Sequence, residues 1–202
     1  DRLSVLHRNV RIVIESGATL TIDGIIACTN AENLVIKDGA QLVHNTPGVN
    51  ATLEKEIEGY GSTNAGWYTI SSPIVGNANM SDVENLTTNN YDLYRYDEST
   101  SMWQNVKEQT NNFTTLETGR GYLYANENDA TLSFIGEVSC ESVVYFLSKT
   151  ENSPLPGFHL IGNPFSHNIY KGEGAILDSV LLGKKLRRLG QGHGLNLFFY
   201  FR

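Results

Sequence analysis

The sequence predicts an all-β protein, with short β-solenoid (β-helix-like) rungs at the N-terminus packed on a β-sandwich or jelly-roll-like domain. Three observations lead there. A seven-residue pattern near the N-terminus recurs at an offset of 22 residues. Short β-type runs separated by turn residues then follow one another from residue 66 to residue 165. Finally, 18% of residues are charged and 40% hydrophobic, and Asn, Thr, Ser and Gly fill the gaps between apolar runs. That balance suits a folded, turn-rich β chain and not a disordered one.

The repeat comes first. Ile14-Glu15-Ser16-Gly17-Ala18-Thr19-Leu20 returns as Ile36-Lys37-Asp38-Gly39-Ala40-Gln41-Leu42. Each copy reads as strand, glycine turn, strand: Val13-Ile14 then Leu20–Ile22, and Val35-Ile36 then Leu42-Val43. A fixed period near 20 residues with β-type apolar positions is the mark of stacked rungs. Glycine supplies a turn geometry that other residues resist. Val5 to Val10 reads as a partial third rung. So short a stack needs a cover, either rungs upstream of Asp1 or the domain that follows.

Ala51–Glu58 reads as a connecting strand, with apolar side chains at 51, 53 and 57. Gly59–Asn64 breaks it. Seven β runs come next: Gly66–Ser72, Tyr91–Tyr96, Met102–Val106, Gly121–Ala125, Thr131–Val138, Val143–Leu147 and Phe158–Ile161. Runs of this length and spacing favour a sandwich or jelly roll. Ser81–Asn90 is expected to hold one helical turn. A second repeat lies inside this region. Gly66-Trp67-Tyr68-Thr69-Ile70-Ser71-Ser72-Pro73-Ile74 matches Gly157-Phe158-His159-Leu160-Ile161-Gly162-Asn163-Pro164-Phe165 in pattern. It describes a strand stopped by a proline, whose missing amide proton ends the ladder. The plan is therefore rungs over 1–50, a sandwich over 51–170 and an atypical tail over 171–202.

The tail stands apart. Residues 1–170 hold nine Lys/Arg against 20 Asp/Glu, whereas 171–202 hold six against two. The apolar pattern changes at the same place, through Leu177–Leu189 to Asn196–Arg202. One reading is a shifted or cut reading frame; the other is an amphipathic helix and a terminal strand. Under either, Leu197–Phe201 is an edge-pairing segment unless the fold buries it.

The repeats and aromatic runs resemble secreted and cell-surface proteins of the Bacteroidetes, which follow short β-helical rungs with a β-sandwich carrying "GW" and "LIGNP" signatures. The matching pieces are Glu15–Ile22, Gly66–Ile74, Tyr91–Trp103, Gly119–Asn126 and Gly157–Phe165, covering roughly residues 5–170. The resemblance implies a secreted or cell-surface location and an adhesion-like or glycan-associated role. It supplies no catalytic residues.

Charge and chemistry narrow the function further. A net charge of −7 argues against a nucleic-acid partner, because phosphate binding wants a basic face. No apolar run reaches the ~18–20 residues that span a bilayer, so no membrane span is expected. The chain opens at Asp1 without an initiator Met or a signal peptide, which reads as a processed protein, a trimmed chain or a fragment. Cys28 and Cys140 form either a disulfide or, as a lone distant pair favours, two buried free thiols. His7, His44, His159, His167 and His193 show no zinc-helix spacing, although His159 and His167 flank one proline turn. There is no nucleophile elbow, and Gly190–Gly194 lacks the lysine of a phosphate loop. No catalytic residue, metal site or cofactor is expected.

The most distinctive stretch is Tyr91–Trp103, two aromatic strands about a polar turn. As a ligand site it would offer Tyr94, Tyr96 and Trp103 as a platform for a sugar ring, with Arg95 or Asp97 as hydrogen-bond partners. Cross-strand aromatic pairing that only holds the sheet together explains the same residues. Trp67, Tyr68, Tyr122 and Tyr124 face the same choice. The leading expectation is a non-catalytic adhesion or scaffold module whose partner is a glycan or another surface protein. A carbohydrate-binding module using the aromatic hairpin is the alternative, and a glycan-cleaving enzyme comes third.

Overall fold

The computed structural model describes residues 10–61 and 66–169, together with the backbone of Arg2–Ser4, Leu186–Arg188 and Phe198–Tyr200. The protein is all-β. The helical segments among the described residues are two three-residue 3-10 turns, Ala31–Asn33 and Met80–Asp82.

The N-terminal region contributes β1 (Arg2–Ser4), β2 (Ile12–Ile14), β3 (Thr19–Ile22), β4 (Ile25–Ala27), β5 (Leu34–Ile36) and β6 (Gln41–His44). β2 lies parallel to β5 with Ile14 opposite Ile36, and β3 lies parallel to β6 with Leu20 opposite Leu42. Both ladders run at the 22-residue offset of the sequence repeat. The turns stack as well: Gly17 donates to the Gly39 carbonyl at 3.2 Å, and Gln41 to that of Ala18 at 2.9 Å. Gly17 and Gly39 sit at φ +81° and +79°, the left-handed region where a Cβ is strained, and that is why both copies carry glycine there. β1 lies parallel on β4, with Arg2 opposite Ile25.

The remaining strands are β7 (Asn50–Ile57), β8 (Tyr68–Ile70), β9 (Ala78–Asn79), β10 (Tyr91–Asp97), β11 (Met102–Asn105), β12 (Thr115–Leu116), β13 (Tyr122–Asn126), β14 (Ala130–Glu137), β15 (His159–Ile161), β16 (Leu186–Arg188) and β17 (Phe198–Tyr200). β7 is the switch between two kinds of pairing. One edge runs parallel to β5, with Ile36 opposite Leu53, and the other pairs antiparallel with all of β14. Ile14, Ile36 and Leu53 thereby form one buried column. Each such aliphatic side chain contributes roughly 1.5–3 kcal/mol by leaving water. Two ion pairs tie the second repeat turn to β7: Lys37 to Glu54 and Lys55 to Asp38, each at 2.6 Å. On β6, Leu42 donates its amide to the Ser166 carbonyl, and the Ser166 hydroxyl returns a bond to the Leu42 carbonyl, both at 2.9 Å. The downstream end of the repeats is thus covered by the chain that follows them.

The second four-stranded sheet runs β11-β10-β13-β8 and is antiparallel throughout. Ile70, Leu93, Tyr122 and Tyr124 are buried in one core with Leu132 and Phe134 of β14. Period two sends the intervening residues to the other face. That second face carries the candidate site.

The two copies of the Gly…Pro signature meet. Ser71 donates its hydroxyl to the Asn163 carbonyl at 2.9 Å. A Cβ added to Gly162 would lie 2.2 Å from the Ser71 Cβ. Ser71 and Gly162 hold equivalent places in the two copies, so the repeats face each other at a point where one of the pair must lack a side chain. Beyond the prolines, Ile74 bridges to Val138 and Phe165 to its neighbour Ser139.

The structure departs from the sequence reading at identifiable places. Val143–Leu147 alternates as a strand should, but it enters no ladder among the described residues, and Val144 and Phe146 are 72% and 87% exposed. The helical turn expected over Ser81–Asn90 is the 3-10 turn at Met80–Asp82, after which Asn85 and Asn89 take left-handed conformations. Cys28 and Cys140 are both free, the first buried and the second only half-buried. Val5–Asn9 and most of 171–202 lie outside the described residues, and with them the partial rung, the two readings of the tail, His7, His193 and Gly190–Gly194. The terminal apolar segment enters through β17, which pairs antiparallel with β15 and β16.

Candidate functional site

The outward face of the β11-β10-β13-β8 sheet is built by alternation. Register places Thr69, Leu123, Tyr94 and Asn105 in one row across the four strands. All four are half-buried. Tyr96, two residues on, sits opposite Trp103 on the same face. Trp67, just ahead of β8, meets Tyr94 edge-on at 5.5 Å with the rings at 77°. Tyr96 and Trp103 meet at 5.3 Å and 67°. The face therefore carries two edge-to-face aromatic pairs in place of one flat platform. Such pairs stabilise a sheet by about 0.5–1.5 kcal/mol each.

The two pairs differ in exposure. Trp67 is 53% exposed and Trp103 37%, but Tyr96 is buried and packs with Leu160 and Phe158. Among the described residues the buried Tyr96 hydroxyl has no hydrogen-bond partner. The Tyr94 hydroxyl instead accepts a bond from Asn105 Nδ2 at 2.9 Å. The Tyr96 end is closed over by β15, and the Tyr94 end is open.

Arg95 and Asp97 project from the opposite face, because odd and even positions of a strand part company. Arg95 donates Nε–H to Gln104 Oε1 at 2.7 Å and lies 4.6 Å over the Phe113 ring. Asp97 accepts from the Ser99 amide and hydroxyl, the Thr100 hydroxyl and Gln104 Nε2. Burial raises the Asp97 pKa, yet these bonds, with Arg120 nearby, carry it below its ordinary value. Of the five residues singled out in the sequence, the fold brings Tyr94, Tyr96 and Trp103 to one face and turns Arg95 and Asp97 away. Trp67 joins the face from outside the hairpin. Strand pairing alone puts it there, and nothing local in the sequence links it to Tyr94.

A second polar cluster lies at the β10–β11 turn. Glu98 is buried, and its carboxylate accepts from the Gly157 amide, the Thr150 amide and hydroxyl, and the Ser148 hydroxyl, at 2.7 to 3.1 Å. Burial pushes its pKa up, and the four hydrogen bonds outweigh burial and take it down to about 2. The Ser153 hydroxyl adds a bond to the Glu98 carbonyl. This carboxylate fastens the 148–157 segment; its lone pairs are fully engaged, so its work is structural.

The histidines at the proline turn take separate partners. His159 Nε2 lies 2.8 Å from the Ser148 carbonyl, and His167 stacks on Phe165 with centroids 5.4 Å apart. Among the described residues no group of three His, Cys, Asp or Glu is placed to hold a metal ion, and no helix is long and apolar enough to cross a membrane. Comparison with protein-family models, with curated proteins and with solved structures finds no match to this chain.

Proposed function

We propose that this chain is a non-catalytic adhesion or scaffold module of a secreted or cell-surface protein. Its architecture is read as two short β-solenoid rungs packed on a β-sandwich-like domain. The observation that carries the reading is β7, which joins the 22-residue parallel ladder of β2 and β5 to the antiparallel strand β14 in one four-stranded sheet. Such a body transmits load through backbone hydrogen bonds and needs no moving part. The large polar clusters support the same reading, since Glu98 and Asp97 spend their oxygens on internal donors. An antibody against the chain, applied to intact cells of the source organism, is expected to label them. Labelling that appears only after lysis would remove the surface assignment.

A second reading, a carbohydrate-binding module, is favoured by one specific feature. Two tryptophans, half or more than a third exposed, sit on the same sheet face as Tyr94. Apolar sugar faces stack on such rings, and sugar hydroxyls take the polar groups beside them. A glycan array separates the two: binding by the wild-type chain supports the second reading, and a blank array leaves the scaffold.

A further inference from the structure

We infer that the open corner of the sheet, Trp67 and Tyr94 with Thr69 and Asn105 beside them, is a binding site for a neutral oligosaccharide. This rests on the carbohydrate-binding reading and moves its contact surface away from the Tyr96–Trp103 end of the hairpin.

Ring presentation is the first argument. Trp67 is the more exposed tryptophan at 53%, and Tyr94 braces it edge-on. A braced ring loses little rotational freedom when a ligand settles on it. At the other end Tyr96 lies under Leu160 and Phe158, and its phenol ring is spent on packing.

Unused hydrogen-bonding capacity is the second. Among the described residues the Trp67 indole N–H and the Thr69 hydroxyl make no hydrogen bond, and the Tyr94 hydroxyl accepts from Asn105 but donates to nothing. These are one obligate donor and two hydroxyls around one exposed ring. A sugar, whose hydroxyls both donate and accept, matches that set. A purely apolar partner would strand the polar groups.

Charge and width set the class. The row Thr69, Leu123, Tyr94 and Asn105 carries no formal charge, and the flanking Asp92 is paired with Lys107 at 3.6 Å. The chain as a whole carries −7. Both features favour a neutral glycan over an acidic one. Three strand spacings make the row about 14 Å wide, which suits several linked sugars better than one.

The test is direct because Trp67 and Trp103 are the two tryptophans of the chain. Wild type, Trp67→Ala, Tyr94→Phe and Trp103→Ala are titrated with cellohexaose, chitohexaose, mannohexaose and, as the acidic control, oligogalacturonate. In parallel, Trp103→Phe leaves Trp67 as the sole indole, and Trp67→Phe leaves Trp103. The expected result has four parts: binding of a neutral hexasaccharide, loss of about tenfold or more in affinity for Trp67→Ala, a change within twofold for Trp103→Ala, and a ligand-induced emission shift in Trp103→Phe but not in Trp67→Phe. If Trp103→Ala abolishes binding and the emission shift follows Trp103, the corner is overturned and the hairpin surface stands. Preference for oligogalacturonate overturns the neutral class. If wild type binds none of the four probes, the inference and the carbohydrate reading fall together.

Discussion

The repeat stack and the segment from 139 to 166 are held in opposite ways. In the stack the repeated strands pair in parallel at an offset of 22 residues, β2 with β5 and β3 with β6, and equivalent turns repeat one another bond for bond: Ala18 to Glu15 and Ala40 to Lys37, both at 2.9 Å. The 139–166 segment has little ladder of its own among the described residues. It depends on a few points: the Glu98 carboxylate, the Ser71–Gly162 contact and the Ser166 bonds to Leu42. A distributed ladder spreads the loss when one contact goes. A segment fixed at single points concentrates it. Single substitutions should therefore cost more in the second region, even where the altered residue is small.

The largest effect is expected at Gly162. Gly162→Ala sets a Cβ 2.2 Å from that of Ser71 and 2.9 Å from the Arg120 carbonyl oxygen. A loss of about 3 kcal/mol in urea unfolding is expected. Ser71→Gly in the same chain should return part of it, because the Arg120 contact remains. A Gly162→Ala chain as stable as wild type would show that the two signatures do not press together.

Next comes Glu98. Glu98→Gln keeps the shape, loses the charge and sets an amide against donors; about 2 kcal/mol is expected at pH 7. Its dependence on pH is the sharper readout. The folded pKa of about 2 lies below the ordinary 4.5, so the unfolded chain takes up the proton first as pH falls. The stabilisation is complete above about pH 5 and fades between 4.5 and 2. The difference between wild type and Glu98→Gln should shrink over that window. Asp97 titrates in the same direction, but it is common to both chains and cancels. A difference flat from pH 6 to pH 2.5 would deny Glu98 its anchoring role.

The stack offers the contrast. Gly17→Ala meets nothing within 4 Å among the described residues, so its cost is that of φ +81° alone, about 1 kcal/mol. A cost as large as that of Gly162→Ala would break the comparison. The smallest effect has the opposite sign. Tyr96→Phe removes a buried hydroxyl that has no partner among the described residues, and a gain of up to about 1 kcal/mol is expected in thermal unfolding. A loss would mean that the hydroxyl is engaged.

Much of this was legible along the chain. The 22-residue spacing announced parallel pairing, since Gly17 and Gly39 stand where the turn needs a left-handed residue and the apolar positions recur on either side. Alternation also carried more than was drawn from it: in a strand, Arg95 and Asp97 belong to the face away from Tyr94 and Tyr96. Val143–Leu147 shows the converse. Its pattern is that of a strand, but a ladder needs a free edge alongside, and a sequence pattern does not announce one. Trp67 lies 27 positions from Tyr94 in the chain. They meet because β8 and β10 flank β13.

By itself the sequence determined the all-β class, the repeat register and the positions of most strands. Those follow from side-chain alternation and from turn residues, which act between near neighbours. Which strand lies beside which, and so which aromatic rings share a face, which carboxylate is used up inside and which glycine faces its own counterpart, was decided only in three dimensions. Backbone hydrogen bonds are the same at every position and carry no sequence label; partner choice rests on burying the whole set of apolar faces at once.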